Sequence, residues 1–221
     1  MVSLVVYTCV FGDTDPLRDP LKPDGVRFVC FTDQPVNSSV WEVIRLPAQD
    51  APKRACRAYK QPSHLIFPEA DATLWIDAKF QLTASPIDIL RKYPGEFTGF
   101  RHHKRNRITD EAVAIIKAGK AKPDAIHDQL AAYKAQGWDT DANPQRAITN
   151  GGCMLRRHTE RVKRFNESWH HEVQTRTLRD QMSLDYCAAN VGLRIDHFPG
   201  NMVQNPIGRR IHYPSKPTND F

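Results

Sequence analysis

The chain is poor in cysteine, and what it has is scattered. Cys9, Cys30, Cys56, Cys153 and Cys187 are odd in number and form no Cys-x-x-Cys pair. That argues against a disulfide framework or a structural zinc site and for free thiols in a reducing compartment. The expected localisation is therefore cytoplasmic. No stretch approaches the roughly 18 apolar residues that a membrane span needs. The run 2–11 has no basic flank before it and no small-residue cleavage site, so it reads as a first core strand and not as a signal peptide. There is no Gly-x-Gly-x-x-Gly, no Gly-x-x-x-x-Gly-Lys-Ser/Thr and no Gly-x-Ser-x-Gly. Dinucleotide binding of the fingerprint type, P-loop phosphate cradling and the hydrolase nucleophile elbow lose their sequence support. His170 and His171 are adjacent, a spacing that does not put two rings on one helix face for a metal. No repeat, low-complexity block or linker divides the chain, so a single domain over 1–221 is expected, with 205–221 as an extended tail.

What the chain does have is an ordinary globular composition, 40% hydrophobic and 25% charged over 221 residues, enough for one substantial core. Its net charge is +6, from 31 Lys and Arg against 25 Asp and Glu. Such an excess suits an anionic ligand such as a diphosphate, an anionic membrane surface or nucleic acid, and equally a solvated basic surface.

The hydrophobic pattern predicts strands over 2–11, 27–32 and 41–46, the opening of an α/β sheet. Pro52 opens a predicted helix over 52–61. On it Lys53, Arg57 and Lys60 share one face, either to grip phosphates or to meet solvent. A short buried strand, Thr73-Leu74-Trp75-Ile76, then ends at Asp77. A carboxylate there stands where ligands bind in open α/β sheets, or merely caps the strand end. Further on, a helix over 87–92 and a strand over 97–102 precede the basic run Arg101–Arg107, which holds His102 and Arg105. Two helices, 108–118 and 123–136, follow, the second ended by Gly137. The stretch 138–145 is polar, an exposed loop suited to be a lid. Ile148-Thr149-Asn150-Gly151-Gly152 reads as a turn of small residues that lets a sugar or acceptor approach the backbone. It leads into a strand over 153–156. Thr159 is a good N-cap for the next helix, whose Val162, Phe165, Trp169 and Val173 form a core stripe. Asp180 can cap a helix over 181–190, and a last strand runs over 193–197.

Several stretches carry a resemblance. Tyr7-Thr8-Cys9-Val10-Phe11-Gly12-Asp13, Phe28-Val29-Cys30-Phe31-Thr32-Asp33, Leu74-Trp75-Ile76-Asp77, Arg101-His102-His103-Lys104-Arg105, Gly152-Cys153 and Arg179-Asp180-Gln181-Met182-Ser183 occur in this order. Over nearly its full length the chain resembles the plant and bacterial glycosyltransferase family long catalogued as a domain of unknown function, which includes pollen-tube-turgor and seed-mucilage proteins. More distantly it is similar to glycosyltransferase family 8. There a strand-end acidic motif, an Asp-Gln pair and a late His-x-x-Gly recur in the order of Asp77, Asp180-Gln181 and His197-x-x-Gly200.

The resemblance implies an α/β fold of GT-A type: one Rossmann-like nucleotide-binding domain with a mixed, mainly parallel sheet flanked by helices. It implies a transferase moving a hexosyl or pentosyl group from a nucleotide-diphosphate donor, such as a UDP-sugar, to a hydroxyl, with a glycan as acceptor. Asp180 and Gln181 become the expected catalytic pair, with Asp180 contacting the acceptor hydroxyl or bracing the oxocarbenium charge. Thr8, Asp13, Lys53, Arg57, Lys60, Asp77 and Lys79 become the expected donor contacts. Asn150, Gly151, Gly152, His102 and Arg105 are expected on the acceptor side. Mn²⁺ or Mg²⁺ on Asp77 and His197 would neutralise the diphosphate. Where family 8 has a second Asp this chain has Lys79, which can supply part of that charge itself. His197 as a plain core histidine is the other reading. Two rivals stay open: a phage-type transferase acting on a modified DNA base, with Arg101–Arg107 on phosphates, and a non-catalytic module binding sugar nucleotides or polyanions.

Overall fold

The computed structural model describes residues 2–12, 16–138 and 148–211. Its centre is a seven-stranded sheet in the order β3-β2-β1-β4-β7-β6-β8. These strands are β1 (Leu4–Val10), β2 (Arg27–Thr32), β3 (Glu42–Arg45), β4 (Ala72–Ile76), β6 (Phe97–Arg101), β7 (Thr149–Arg157) and β8 (Ile195–Asn201). The β1–β2, β1–β4, β2–β3 and β6–β8 pairs are parallel. Only β7 runs against its two neighbours, β4 and β6. The sheet is thus mixed and mainly parallel, as the resemblance implies. Successive side chains of a strand point to opposite faces, and β1 shows the consequence. Val5, Tyr7 and Cys9 enter one core with Phe165, Trp169 and Val173, while Leu4, Val6 and Val10 enter another with Leu90 and Phe198. Both faces are covered, which is why the strands read as apolar runs with weak alternation.

The first core lies under α1 (Pro52–Lys60), α2 (Ser63–Ile66), α4 (Ile108–Lys117), α5 (Pro123–Ala135), α6 (Glu160–Thr175) and α7 (Leu184–Asn190). The second lies under α3 (Pro86–Lys92) and a small ribbon of β5 (Phe80–Leu82) with β9 (Gly208–Arg210). Helix starts follow the expected chemistry. Pro52 stands in the first turn of α1, and Thr159 Oγ1 accepts from Val162 N at 3.3 Å to cap α6.

The sequence pattern and the structure part at several elements. The small-residue stretch 149–152 is not a turn but the first part of β7, with a bulge in the facing strand between Gly99 and Phe100. Strand β8 runs on through Pro199 and Gly200 to Asn201. Proline fits there because β8 is an edge strand. Asp180 does not cap a long helix; it opens a 3₁₀ turn, Asp180–Met182, and α7 begins only at Leu184. The short elements α2, β5 and β9 carry too few residues for a periodicity to register. The expected lid, 138–145, lies outside the described residues beyond Trp138, as does the tail beyond Ile211.

Candidate active site at the carboxyl edge of the sheet

β1 pairs with β2 on one side and β4 on the other, so the chain connections part between β1 and β4. Crevices for ligands form at such switch points, outside the carboxyl ends of the strands. Into this crevice α1 delivers its last residue. Lys60 is 3% exposed, and its Nζ lies 2.6 Å from Asp180 Oδ2 and 3.8 Å from Asp77 Oδ1. The ammonium also stands over the rings of Trp75 and Trp169, at 5.4 and 6.0 Å from their centroids. Arg57, one turn earlier, places Nε 3.3 Å from the same Asp180 oxygen. Burial alone would raise the Asp180 carboxyl; the charges of Arg57 and Lys60 and the hydrogen bond from Lys60 outweigh it. They hold Asp180 well below the usual carboxylate range.

The surroundings fix each partner. Trp75 Nε1 donates to Asp77 Oδ1 at 3.0 Å, and Trp169 Nε1 donates to the Asp180 carbonyl at 2.9 Å. Asp77 N donates to Gly152 O at 2.8 Å, which ties the end of β4 to β7. Lys60 is held from below by Arg156 of β7, which is fully buried. Its guanidinium donates to the carbonyls of Lys60 and Gln61 at 2.7 and 2.8 Å and to Asn166 Oδ1 at 2.7 Å, and it also bonds the Tyr7 hydroxyl. Tyr7 in turn donates to Lys60 O at 2.8 Å. A cation among the last carbonyls of a helix satisfies orphan acceptors and complements the helix dipole.

The two glycines of β7 turn out to serve the chain's own side chains. A Cβ on Gly151 would stand 3.0 Å from Lys60 Nζ, and one on Gly152 would stand 3.1 Å from Asp77 Oδ2 and 2.9 Å from Asn150 Oδ1. The close approach expected of an acceptor is made instead by Lys60 and Asp77. Asn150 Oδ1 accepts from Gly152 N at 2.8 Å and so shapes the same strand end.

Other expected site residues fall elsewhere. Thr8 is fully buried, on the β1 face opposite Tyr7 and Cys9. Asp13 lies outside the described residues. Lys53 stays exposed on the first turn of α1, so Arg57 and Lys60 alone carry its cationic face into the crevice. Lys79 sits in the turn after β4, where its carbonyl accepts from Ile211 N at 2.8 Å. His102 is an organiser of its own loop. Its Nδ1 accepts from Lys104 N at 3.2 Å and Arg105 N at 3.0 Å, and burial with the nearby charges of Arg105, His103 and Lys104 lowers its pKa to about 4. Arg105 is ion-paired with Glu111. Gln181 borders Asp180, and its Nε2 is buried without a hydrogen-bond acceptor among the described residues, as is Arg179 Nε, whereas Arg57 Nε faces the Asp180 carboxylate.

The expected metal pair does not come together. His197 of β8 stands beside Gly99 of β6, which faces Met154 of β7, which faces Trp75 of β4. At about 4.8 Å per strand the two backbones are about 14 Å apart, too far for Asp77 and His197 to share an ion held at about 2 Å. Burial and Arg101 bring the His197 pKa down to about 4, and its Nε2 has no partner among the described residues. No group of three or more His, Cys, Asp or Glu among the described residues is placed to hold a metal. Asp77 and His197 therefore do not form a shared site for the ion that the resemblance implied.

Two residues of the site leave no sign of their role in the sequence. Arg156 shows there only as a strand residue, because a buried arginine without a carboxylate partner makes no motif. Asp33 at the end of β2 accepts from Gly12 N at 2.8 Å and Gln49 N at 3.1 Å, pinning the loops after β1 and before α1.

Two curated relatives from Arabidopsis thaliana match. The probable hexosyltransferase MUCI70 is 29% identical over 95% of this chain and 42% of its own length. The alkaline ceramidase TOD1 is 22% identical over 87% of this chain and 50% of its own length. The chain thus spans half or less of the length of these relatives. No helix among the described residues is long and apolar enough to cross a membrane. The TOD1/MUCI70 glycosyltransferase-like domain model matches residues 30–212, most of the sheet and every residue of the Lys60–Asp77–Asp180 centre, and the chain belongs to that family.

Proposed function

We propose that this chain transfers a hexosyl group from a nucleoside-diphosphate sugar, with UDP as the leading nucleotide, to a hydroxyl acceptor. The observation that carries the reading is the Lys60–Asp180–Arg57 centre at the carboxyl edge of the sheet, with orphaned donors on Arg179 and Gln181 beside it. A departing diphosphate needs its charge met by preorganised cations and N–H donors, and these are the groups at hand. Asp180, held well below the usual carboxylate range, is a poor proton acceptor at neutral pH. Its role in this reading is electrostatic: a fixed negative charge against the oxocarbenium character that develops at the anomeric carbon. Lys60 orients that carboxylate, and Asp77 anchors the crevice wall through Trp75 and Gly152.

Amide hydrolysis, suggested by the name of the second relative, finds less support. It needs an activated nucleophile or a metal-bound water, and no group of three or more His, Cys, Asp or Glu among the described residues is placed to hold a metal. The test is a thermal-shift panel of nucleoside diphosphates and their sugars. UDP or another nucleoside diphosphate should raise the melting temperature, because a ligand that binds only the folded state stabilises it by mass action. No shift at millimolar concentration sinks the reading.

A further inference from the structure

Two cysteines meet between β1 and α1, beside the crevice, and neither has a part in the transfer. Tyr7 and Cys9 share the face of β1 that α1 covers, and Cys56 of α1 packs against the same core. The helix runs back along the strand. At its start, an added Cβ on Gly12 would stand 3.0 Å from Pro52 Cγ; at its end, the Tyr7 hydroxyl donates to Lys60 O at 2.8 Å. Cys56 stands midway between Pro52 and Lys60, about one turn from each. Cys9 stands between Gly12 and Tyr7 on the strand beneath. There the Cys9 thiol donates a hydrogen bond to the Cys56 sulfur. Arg57 Nη1 lies 3.8 Å from Cys56 Sγ on the other side. Cys56 is half-buried, whereas Cys9, Cys30, Cys153 and Cys187 are buried. The hydrogen bond from Cys9 and the charges of Arg57 and Lys60 outweigh burial and the opposing charge of Asp77, and bring the Cys56 thiol down to about 7. Burial pushes the other four thiols up. A partly open thiolate with a resolving thiol in contact is the arrangement that oxidants select.

We propose that Cys56 and Cys9 are a redox modification site: a hydroperoxide converts them to a reversible disulfide that displaces Arg57 from Asp180 and weakens donor binding. The modification stands on the two thiols alone; its effect on the crevice rests on the glycosyltransferase reading above. In the first step the Cys56 thiolate attacks a peroxide oxygen. The S–O bond forms, the O–O bond breaks and hydroxide leaves. In the second, the Cys9 sulfur displaces the sulfenic oxygen, the S–S bond forms, and water leaves with the Cys9 proton. The thiols are oxidised and the peroxide is reduced; a dithiol reverses the change by exchange. A disulfide sets the two sulfurs about 2.05 Å apart, closer than a hydrogen bond between them, so the middle of α1 is drawn onto β1. Arg57 is the next residue, and its Nε faces Asp180 Oδ2 from 3.3 Å. Oxidation also removes the negative sulfur beside the Arg57 guanidinium.

The test exposes the full chain to hydrogen peroxide, blocks the remaining thiols and maps the peptides by mass spectrometry, with UDP affinity read by calorimetry on the same samples. A Cys9–Cys56 linked peptide should form while Cys30, Cys153 and Cys187 stay free, and dithiothreitol should reverse it. Cys9→Ala removes the second step, so dimedone should trap a sulfenic acid at Cys56. Cys56→Ala should give neither product. The oxidised parent should bind UDP at least about tenfold more weakly, the scale of losing one hydrogen bond to a charged group, and reduction should restore the affinity. Cys9→Ala, before oxidation, should bind UDP as the reduced parent does. No linked peptide, a link from Cys56 to another cysteine, or a link that leaves UDP affinity unchanged overturns the proposal. If UDP binds neither form of the chain, the transferase reading fails, and the linked peptide still decides the thiol pair by itself.

Discussion

Lys60 Nζ and Asp180 Oδ2 meet at 2.6 Å across 120 residues of sequence, in a space almost closed to solvent. Breaking such a buried pair from one side leaves an uncompensated charge, which costs about 3–5 kcal/mol. Lys60→Met and Asp180→Asn should each lower stability on that scale in urea unfolding. The double variant should lose clearly less than the two losses added, because it leaves no lone charge at that contact. Additive losses would show that the two groups do not depend on each other. This revises what the sequence alone suggests, since Asp180→Asn would be nearly neutral if Asp180 were a helix cap.

The pH dependence follows from the same pair. The folded-state pKa of Asp180 is depressed, so the unfolded chain takes the proton first as pH falls. Its contribution is fully present well above pH ~4, the ordinary value for an aspartate. It is lost progressively as pH drops through that value towards the lower folded pKa. The slope of stability against pH below ~5 should therefore be flatter in Asp180→Asn than in the parent. Parallel acid limbs would contradict the assignment.

Gly151→Ala tests the fit of the site. The new methyl carbon would stand 3.0 Å from Lys60 Nζ, so the ammonium must give by a few tenths of an ångström where it holds Asp180 Oδ2 at 2.6 Å. The expected loss is about 1–3 kcal/mol of stability, the usual cost of overpacking, with donor-dependent turnover down by at least about tenfold. A variant with unchanged turnover would mean that Lys60 has room that the geometry does not show.

Much of this was legible in the chain. The order and type of the long strands and helices follow from apolar runs and capping residues, and Asp77, Arg57, Lys60 and, through the resemblance, Asp180 are legible as candidate site residues. What could not be read was their pairing. Lys53, Arg57 and Lys60 share a helical face in any projection, yet only burial decides that Lys60 goes inside and Lys53 stays out. Gly151 and Gly152 look like a turn because glycine is rare inside strands; their place in β7 comes from the side chains that crowd them. The Asp77–His197 pair failed because order along a chain does not fix order across a sheet. Two strands, β7 and β6, come between them.

That separation is itself testable. His197→Ala should leave UDP affinity, and any effect of Mn²⁺ on it, within about twofold of the parent, because rim or distant groups shift binding little. Loss of a Mn²⁺ effect in this variant would put His197 back at the diphosphate.

Arg156 offers a check on how Lys60 is held. Arg156→Met removes the donors to Lys60 O, Gln61 O and Asn166 Oδ1. Lys60 O keeps the Tyr7 hydroxyl and Gln61 O keeps Ser63 N, so Asn166 Oδ1 is the acceptor left unsatisfied, at a cost of about 1–3 kcal/mol, and the urea midpoint should fall accordingly. A near-neutral change would show that the end of α1 is secured without it.

Glycosyl transfer at the Lys60–Asp180 centre is tested most directly by steady-state release of UDP from a panel of UDP-hexoses. The parent should release UDP from at least one of them. Asp180→Asn, folded and assayed well below its melting temperature, should bind UDP within a few-fold of the parent and turn over about 10²-fold more slowly or worse, the scale of losing a charged catalytic group. Full turnover in Asp180→Asn, or a folded parent with neither affinity for nor turnover of any UDP-sugar, would contradict the account.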